Sequence, residues 1–335
     1  APPLFAAELR IIIAAIMLMI NEATAGSLLN LAGVRKCIRA ALEQQATDRV
    51  EQSDPRSQFL KSEEHNNRYH IKGAYLRDDL VAGFRVREFT HVPTRSNEMQ
   101  LILLSDLETA AFLGVVSCDQ ITERRFGAMA ALTVEALRKQ NSSTLAVVGA
   151  GALARAGIEA IQEAVPFSNI RIASRSLESR KALCASLSDK GVAGIEAATS
   201  IEAACHDADV ILTITNAEAS LVHAAWCKPG SLLVSTGGRR ECEPEAVLEA
   251  NQVFIDDWEQ CAVLGELAAL HREGRFGPDD VTATLAQVIT GRHPGRQSEE
   301  DRIVAVPQGL TSLDVALANF VYRAAVKQNL GTEVE

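Results

Sequence analysis

Thr144-Leu145-Ala146-Val147-Val148, running directly into Gly149-Ala150-Gly151-Ala152-Leu153-Ala154, is the stretch from which the fold is read. The apolar residues form a strand and a helical segment begins at Ala152, so the glycines fall in the turn between them. Gly149 can make the tight turn, Gly151 lets the backbone approach a pyrophosphate, and Ala154 is small enough for the helix to pack on the strand. The helix N-terminus then offers N–H donors and the positive end of its dipole. Alone, Gly-x-Gly-x-x-Ala is a weak signal, and the plain alternative is a glycine turn that binds nothing. The strand before it and the helix after it favour a dinucleotide site.

Working outward, apolar runs at 170–173, 209–215, 231–235 and 253–257 are separated by helical segments at 152–164, 177–190, 199–207 and 243–250. Strand and helix in alternation predict a parallel sheet covered on both faces. Pro278-Asp279-Asp280 starts a further helix with Val281, Leu285, Val288 and Ile289 facing inward. A last helix at 311–327 carries Leu313, Leu317, Phe320, Val321 and Ala324. Upstream the pattern differs. A helix over 29–47 buries Leu31, Val34, Ile38, Ala41 and Leu42, and the polar stretch 46–69 reads as loop and strand ends. Short strands follow at 70–76, 80–88, 99–105 and 113–116, then a helix at 123–139. The first 120 residues are thus a mixed α+β unit, and the fold class is α/β with a Rossmann-type doubly wound parallel sheet.

Bulk properties limit the alternatives. The chain has 335 residues, enough for two domains. Its net charge of −10 disfavours nucleic-acid binding. Seven cysteines without a Cys-x-x-Cys pair read as reduced thiols of a cytoplasmic protein, with no metal site. The apolar run 11–20 is about half the length of a membrane span, so no membrane association is expected. Ala23-Thr24-Ala25 matches a signal-cleavage site only weakly. The run is read instead as a buried strand at 17–21, with 1–16 an extension or appended sequence.

The end of the second strand bears on the cofactor. An NAD site places an acid there to accept the ribose hydroxyls, whereas this chain reads Ser174-Arg175-Ser176 and its first acid is Glu178. Ser174 and Ser176 can donate to a 2′-phosphate and Arg175 can neutralise it. NADP is therefore expected, with NAD as the alternative. Arg175 also fits a solvated helix start, and Arg180 and Lys181 are nearby substitutes. The expected cofactor residues are Gly149, Gly151, Ala152, Leu153, Ser174, Arg175 and Ser176, with Thr215, Asn216, Gly237 and Gly309 from later turns.

Several motifs in order resemble the ornithine cyclodeaminase/mu-crystallin family. They are Leu101-Ile-Leu-Leu-Ser-Asp106, Leu113-Gly-Val-Val116, Ile121-Thr-Glu-Arg-Arg-Phe-Gly-Ala128, Val148-Gly-Ala-Gly151, Asp207-Ala-Asp-Val-Ile-Leu-Thr213 and Trp226-Cys-Lys-Pro-Gly230. Ile255-Asp-Asp-Trp-Glu-Gln-Cys261, Ile289-Thr-Gly-Arg-His-Pro-Gly-Arg296 and Gln328-Asn-Leu-Gly-Thr332 are similar to the branch that cleaves N-(2-amino-2-carboxyethyl)-glutamate oxidatively. The resemblance implies a homodimer and imino-acid chemistry. It also implies a substrate-binding and dimerisation domain from 1–120 and 306–335, with a dinucleotide domain inserted at 121–305.

Carried over onto this chain, Arg56 and Arg125 fall where the family binds the substrate carboxylate, a task suited to a planar guanidinium. Asp314 matches a recurring family aspartate near the active site. The plain alternative for each is a surface ion pair, against which the motif context weighs for the arginines. At the family's catalytic lysine this chain has Arg85, which does not readily release a proton but can hold a carboxylate or polarise an imine. Lys72 or His70, alternating onto one face of the preceding strand, would supply the titrating group. The acid that follows the glycine pair in the cyclodeaminases is replaced in Gly237-Gly238-Arg239-Arg240-Glu241. The expectation is hydride transfer at the α-carbon of an amino or imino acid near the Pro307-Gln308-Gly309 turn. Lys72, Arg85 and Asp314 act in catalysis, and Arg56, Arg85 and Arg125 bind a substrate with more than one carboxylate. The rivals are a cyclodeaminase-like lyase and a non-catalytic, mu-crystallin-like ligand binder.

Overall fold

The computed structural model describes residues 17–89 and 99–334, so residues 1–16, expected from sequence to be an extension, lie outside the described residues. These residues form two compact units, one up to Arg125 and again from Thr311, the other Phe126–Leu310.

The first unit holds the strands β1 Met17–Ile20, β2 Val50–Gln52, β3 Gln58–Ser62, β4 Asn67–Leu76, β5 Val81–Phe89, β6 Gln100–Asp106 and β7 Phe112–Ser117. The second holds β8 Thr144–Val148, β9 Asn169–Ala173, β10 Ile195–Ala197, β11 Val210–Thr213, β12 Leu232–Ser235, β13 Gln252–Ile255, β14 Ala283–Thr284 and β15 Ile303–Val306. The chain then returns to the first unit for β16 Thr332–Val334.

The sheet of the first unit runs β16-β1-β7-β6-β5-β4-β2, with β3 also paired to β4. The helix Thr311–Gln328 lies across β4 and β5 and packs on the helix Leu31–Ala46, whose Val34, Ile38, Ala41 and Leu42 are buried. Fully burying a side chain such as Ile38 or Leu42 is worth about 1.5–3 kcal/mol, so this apolar stripe holds the helix down. Gly83 makes the close approach possible. A Cβ there would lie 2.6 Å from Val315 Cγ2, so any larger residue would lift the final helix off the sheet. The stretch 46–69, read from sequence as loop and strand ends, in fact contains β2 and β3. Their residues are mostly polar or exposed, so no apolar run marks them.

The second unit has the strand order β10-β9-β8-β11-β12-β15-β13-β14, and every pairing is parallel. The strands β8, β11, β12, β13 and β15 are buried throughout, which is why they appear in the sequence as unbroken apolar runs. The order reverses between β8 and β11, the position at which open α/β sheets bind their ligands. Two features depart from the sequence reading. β15 was not anticipated, yet it pairs with both β12 and β13. Pro278–Asp280 is a single 3-10 turn, and the α-helix begins only at Leu285, capped by Thr284 and Gln287.

Candidate active site

On the first unit, β4 and β5 pair so that Lys72 stands opposite Arg85 and His70 opposite Arg87. The face bearing Lys72 and Arg85 is the one covered by the final helix, which places Asp314 in its first turn above them. Asp314 is 2% exposed and ion-pairs with Arg85 Nη1 at 3.0 Å and with Arg125 Nε at 2.7 Å. The contact with Arg125 is a close ion pair without the in-line geometry of a hydrogen bond. Arg125 lies one helical turn beyond Thr122 on Asp119–Leu137, so both side chains face the cluster. Thr122 Oγ1 accepts from Arg85 Nη2 at 3.2 Å, and Gln100 Oε1 accepts from the same nitrogen. Gln100 is held in turn by Asp119, and Glu22 accepts the main-chain N–H groups of Asp119 and Gln120 that open this helix.

Burial alone would raise the Asp314 carboxyl, but Arg125, Arg85 and Lys72 outweigh it and hold the group below the usual carboxylate range. Asp314 therefore stays ionised among three cationic side chains. Burial and four cations, Lys72, Arg85, Arg68 and Arg87, push His70 down to about 3. His70 is thus a neutral imidazole near pH 7, which removes it as the titrating group that the sequence allowed. Arg56 donates from Nη1 to the carbonyls of Gln52 and Ser53, and Gln52 Oε1 accepts the N–H of Thr311 at the start of the final helix.

On the second unit, the glycine loop has the shape its sequence implied. Gly149 sits at φ +136°, and a Cβ there would be 2.3 Å from the carbonyl oxygen of Ile214, just beyond β11. The loops after β8 and β11 therefore touch at the point where the strand order reverses. Gly151 stands at the start of the helix Ala152–Ala164 and brings no side chain to occupy its first N–H groups, and a Cβ on Gly151 would meet nothing within 4 Å. Open space beside an uncapped helix start that opens with Ala152 and Leu153 fits a pyrophosphate.

The other expected cofactor residues are placed less simply. Ser176 caps the helix Leu177–Ser188 by accepting from Ser179 N, and Ser174 Oγ donates to the Ser176 carbonyl. The Ser174 hydroxyl proton is therefore committed, while Arg175 and Asn216 are exposed. The N–H groups of Thr215, Gly237 and Gly309, three of the expected cofactor residues, are taken by buried acids. Glu241 takes the first two at 2.5 and 2.8 Å, and Asp256 takes the third at 2.5 Å. Gln260 also donates to the Gly309 carbonyl and Gln308 to the Gly237 carbonyl. Glu266 accepts from Ser235 Oγ and from Glu241 N, and burial raises its carboxyl to about 7, with the Glu241 charge adding to the effect. These buried acids shape the loops after β11, β12 and β15. No local sequence pattern announces them, nor the Gln100 and Thr122 contacts to Arg85.

The model of the ornithine cyclodeaminase/mu-crystallin family matches residues 16–329. The chain belongs to this family. It is 28% identical over 241 residues to alanine dehydrogenase of Archaeoglobus fulgidus, covering 71% of this chain and 74% of that one. N-((2S)-2-amino-2-carboxyethyl)-L-glutamate dehydrogenase of Staphylococcus aureus is 26% identical over 238 residues, covering 69% and 70%. Among solved structures, an archaeal alanine dehydrogenase dimer with bound NAD aligns with a TM-score of 0.87 and 24% identity, over 96% of this chain and 99% of that one. That alignment shows that the two chains share a fold. No described helix is long and apolar enough to cross a membrane, and all seven cysteines are free thiols.

Proposed function

We propose that this family member is a nicotinamide-dinucleotide-dependent oxidoreductase acting on the C–N bond of an α-amino or α-imino acid, by imine reduction or oxidative deamination. The observation that carries this reading is the uncapped, open helix start at Gly151, set at the reversal point of a wholly parallel sheet. The relatives named above are dehydrogenases of amino acids, and the buried cluster around Asp314 offers what such a substrate needs. A bound nicotinamide would supply or accept the hydride.

The chain's own residues do the rest. Asp314 fixes Arg125 through Nε, which turns the two terminal nitrogens of that guanidinium to a substrate carboxylate. Arg85, braced by Asp314, Gln100 and Thr122, is a fixed positive charge that holds a substrate carboxylate or polarises the C–N group. Lys72, buried opposite Arg85, carries the proton that the substrate nitrogen gains or loses. Arg56 supports the loop against the start of the final helix. Lys72, Arg85 and Arg125 outnumber Asp314, which suits a substrate with more than one carboxylate. On the second unit, exposed Arg175 and the Ser176 hydroxyl, with no acid before Glu178, favour NADP over NAD. Asn216, Thr215, Gly237 and Gly309 shape the cofactor's surroundings.

The first-unit sheet supports a homodimer. Met19, Val115, Leu103 and Phe84 stand in register across β1, β7, β6 and β5 on the face away from the final helix. Met19 is 52% and Phe84 45% exposed, an apolar band that a second copy would cover.

Titrating the purified protein with NADH and NADPH by fluorescence tests the cofactor step, and NADPH should bind more tightly. Absorbance at the nicotinamide band with pooled 2-oxo acids and amines then tests turnover. Binding without turnover would favour the ligand-binder reading, for which Arg85 at the lysine position is the motive. No binding of either nucleotide would end the proposal.

A further inference from the structure

Along the carboxyl edge of the second-unit sheet, hydrogen-bonding groups are unevenly shared. The helix start at Gly151, after β8, faces open space. The loops after β12 and β15, two and three strands from β8, turn their polar groups inward instead. Glu241 and Asp256 accept the N–H groups of Gly237 and Gly309. The carbonyls of Gly237, Gly238 and Gly309 accept from Gln308, from the N–H of Gly265 and from Gln260. Beside these loops lie two exposed apolar side chains. Val263, at 68%, is the most exposed large apolar side chain among the described residues, and its neighbour Leu264 is 37% exposed. We infer that Val263 and Leu264 are the apolar wall of the nicotinamide pocket.

The loop that carries the pair is anchored on both sides. The N–H groups of Val263 and Leu264 both donate to the Gln260 carbonyl, and Gln260 Nε2 donates to the Gly309 carbonyl. Gly265 packs on the Gln308 side chain so closely that a Cβ would not fit, and Glu266 accepts from Ser235 Oγ at the end of β12. Leu264 Cδ1 lies 3.9 Å from where a Cβ on Gly238 would stand. At about 4.8 Å between neighbouring strands, the loops after β12 and β15 are about 10 and 14 Å from the glycine loop. The inference rests on the reading that a dinucleotide lies with its pyrophosphate at Gly151. With Ser174–Ser176, after β9, reading the adenosine on one side of β8, the nicotinamide falls on the other side, toward β11, β12 and β15. The two regions of the edge then differ as the parts of the ligand differ. Open N–H donors suit the diphosphate, and a surface whose polar groups are satisfied elsewhere suits a flat, largely apolar ring. Side chains already held in place orient that ring without an ordering cost on binding, and they exclude water from it.

The test is calorimetric titration of the purified full chain with NADH and with ADP-ribose, which has the adenosine and pyrophosphate but no nicotinamide. Val263→Ser combined with Leu264→Ser should weaken NADH binding about tenfold, the loss of a partly buried apolar contact. The affinity for ADP-ribose should stay where it is. Both positions are exposed, so the thermal midpoint of the nucleotide-free protein should not move. Val263→Ile keeps the apolar surface and should bind both ligands as the parent does. Leu248→Ser, at an exposed apolar position on the helix Pro244–Leu248, should also change neither affinity. An unchanged NADH affinity in the double variant would overturn the wall and leave the patch to a second copy of the chain. Equal losses for NADH and ADP-ribose would overturn it too, since the contact would not be with the ring. A parent that binds neither ligand would instead end the dinucleotide reading, and the wall with it.

Discussion

At the scale of single residues, two buried carboxylates respond to pH in opposite senses. Asp314 is ionised between Arg85 and Arg125, and taking its charge away leaves two largely buried guanidinium groups without their anion. Asp314→Asn should therefore cost about 3–5 kcal/mol, the range found when one member of a buried pair is removed. A urea midpoint close to that of the parent would show that the cluster is solvated. Because the folded state holds the Asp314 proton less tightly than the unfolded chain, its contribution is present above the unfolded carboxyl pKa and is lost as the pH falls. Glu266 behaves in reverse. Burial lifts it to about 7, so the folded chain binds the proton more tightly, and this contribution declines as the pH rises from about 4.5 to about 7. Asp256, lifted by burial to about 6, adds to the same trend. Glu266→Gln replaces the protonated acid by a neutral group of like shape. Its unfolding midpoint relative to the parent should improve steadily over that pH range, and a difference independent of pH would refute the account.

At the scale of elements, the turn from β8 into its helix separates a folding role from a binding role. Gly149→Ala places a Cβ against the Ile214 carbonyl at a φ that side chains rarely adopt, so it should lower both stability and dinucleotide affinity. Gly151→Ala meets open space. The thermal midpoint of the nucleotide-free protein should stay where it is, while NADH affinity drops about tenfold or more, because the methyl occupies the pyrophosphate's approach. A Gly151→Ala protein that binds NADH like the parent would remove the cradle from the cofactor site. These elements were legible because β8, β11, β12 and β13 are buried on both faces and read as continuous apolar runs. β15 was not legible, since Ile303–Val306 follows a long polar stretch rather than a helical segment, so the strand–helix alternation does not lead to it. The candidate site divides in the same way. Arg85, Arg125 and Asp314 could be named from motifs, whereas Gln100 and Thr122 join them through pairing that no local window contains. The inward turn of the Thr215, Gly237 and Gly309 amides was hidden for the same reason, because the acids that hold them come from other segments.

At the scale of the whole molecule, the question is what covers the outer face of the first-unit sheet. One face is satisfied by the helices 31–46 and 311–328, and the exposed residues of the other are apolar across four neighbouring strands rather than alternating with charge. A sheet with one face packed on a core ordinarily turns polar residues to water on the other. Phe84, Val86 and Met19 do the reverse, at 45%, 38% and 52% exposure. Burying this band against its twin by a two-fold axis is self-complementary by construction. Sedimentation velocity of the purified chain should accordingly give a dimer, and Phe84→Glu should give a monomer, since it sets like charges against each other across the axis. The Phe84 side chain leaves the β5 register and the helix-covered face untouched, so the variant should keep its far-ultraviolet circular dichroism. A parent that sediments as a monomer, or a Phe84→Glu dimer of unaltered affinity, would leave this face without the partner assigned to it.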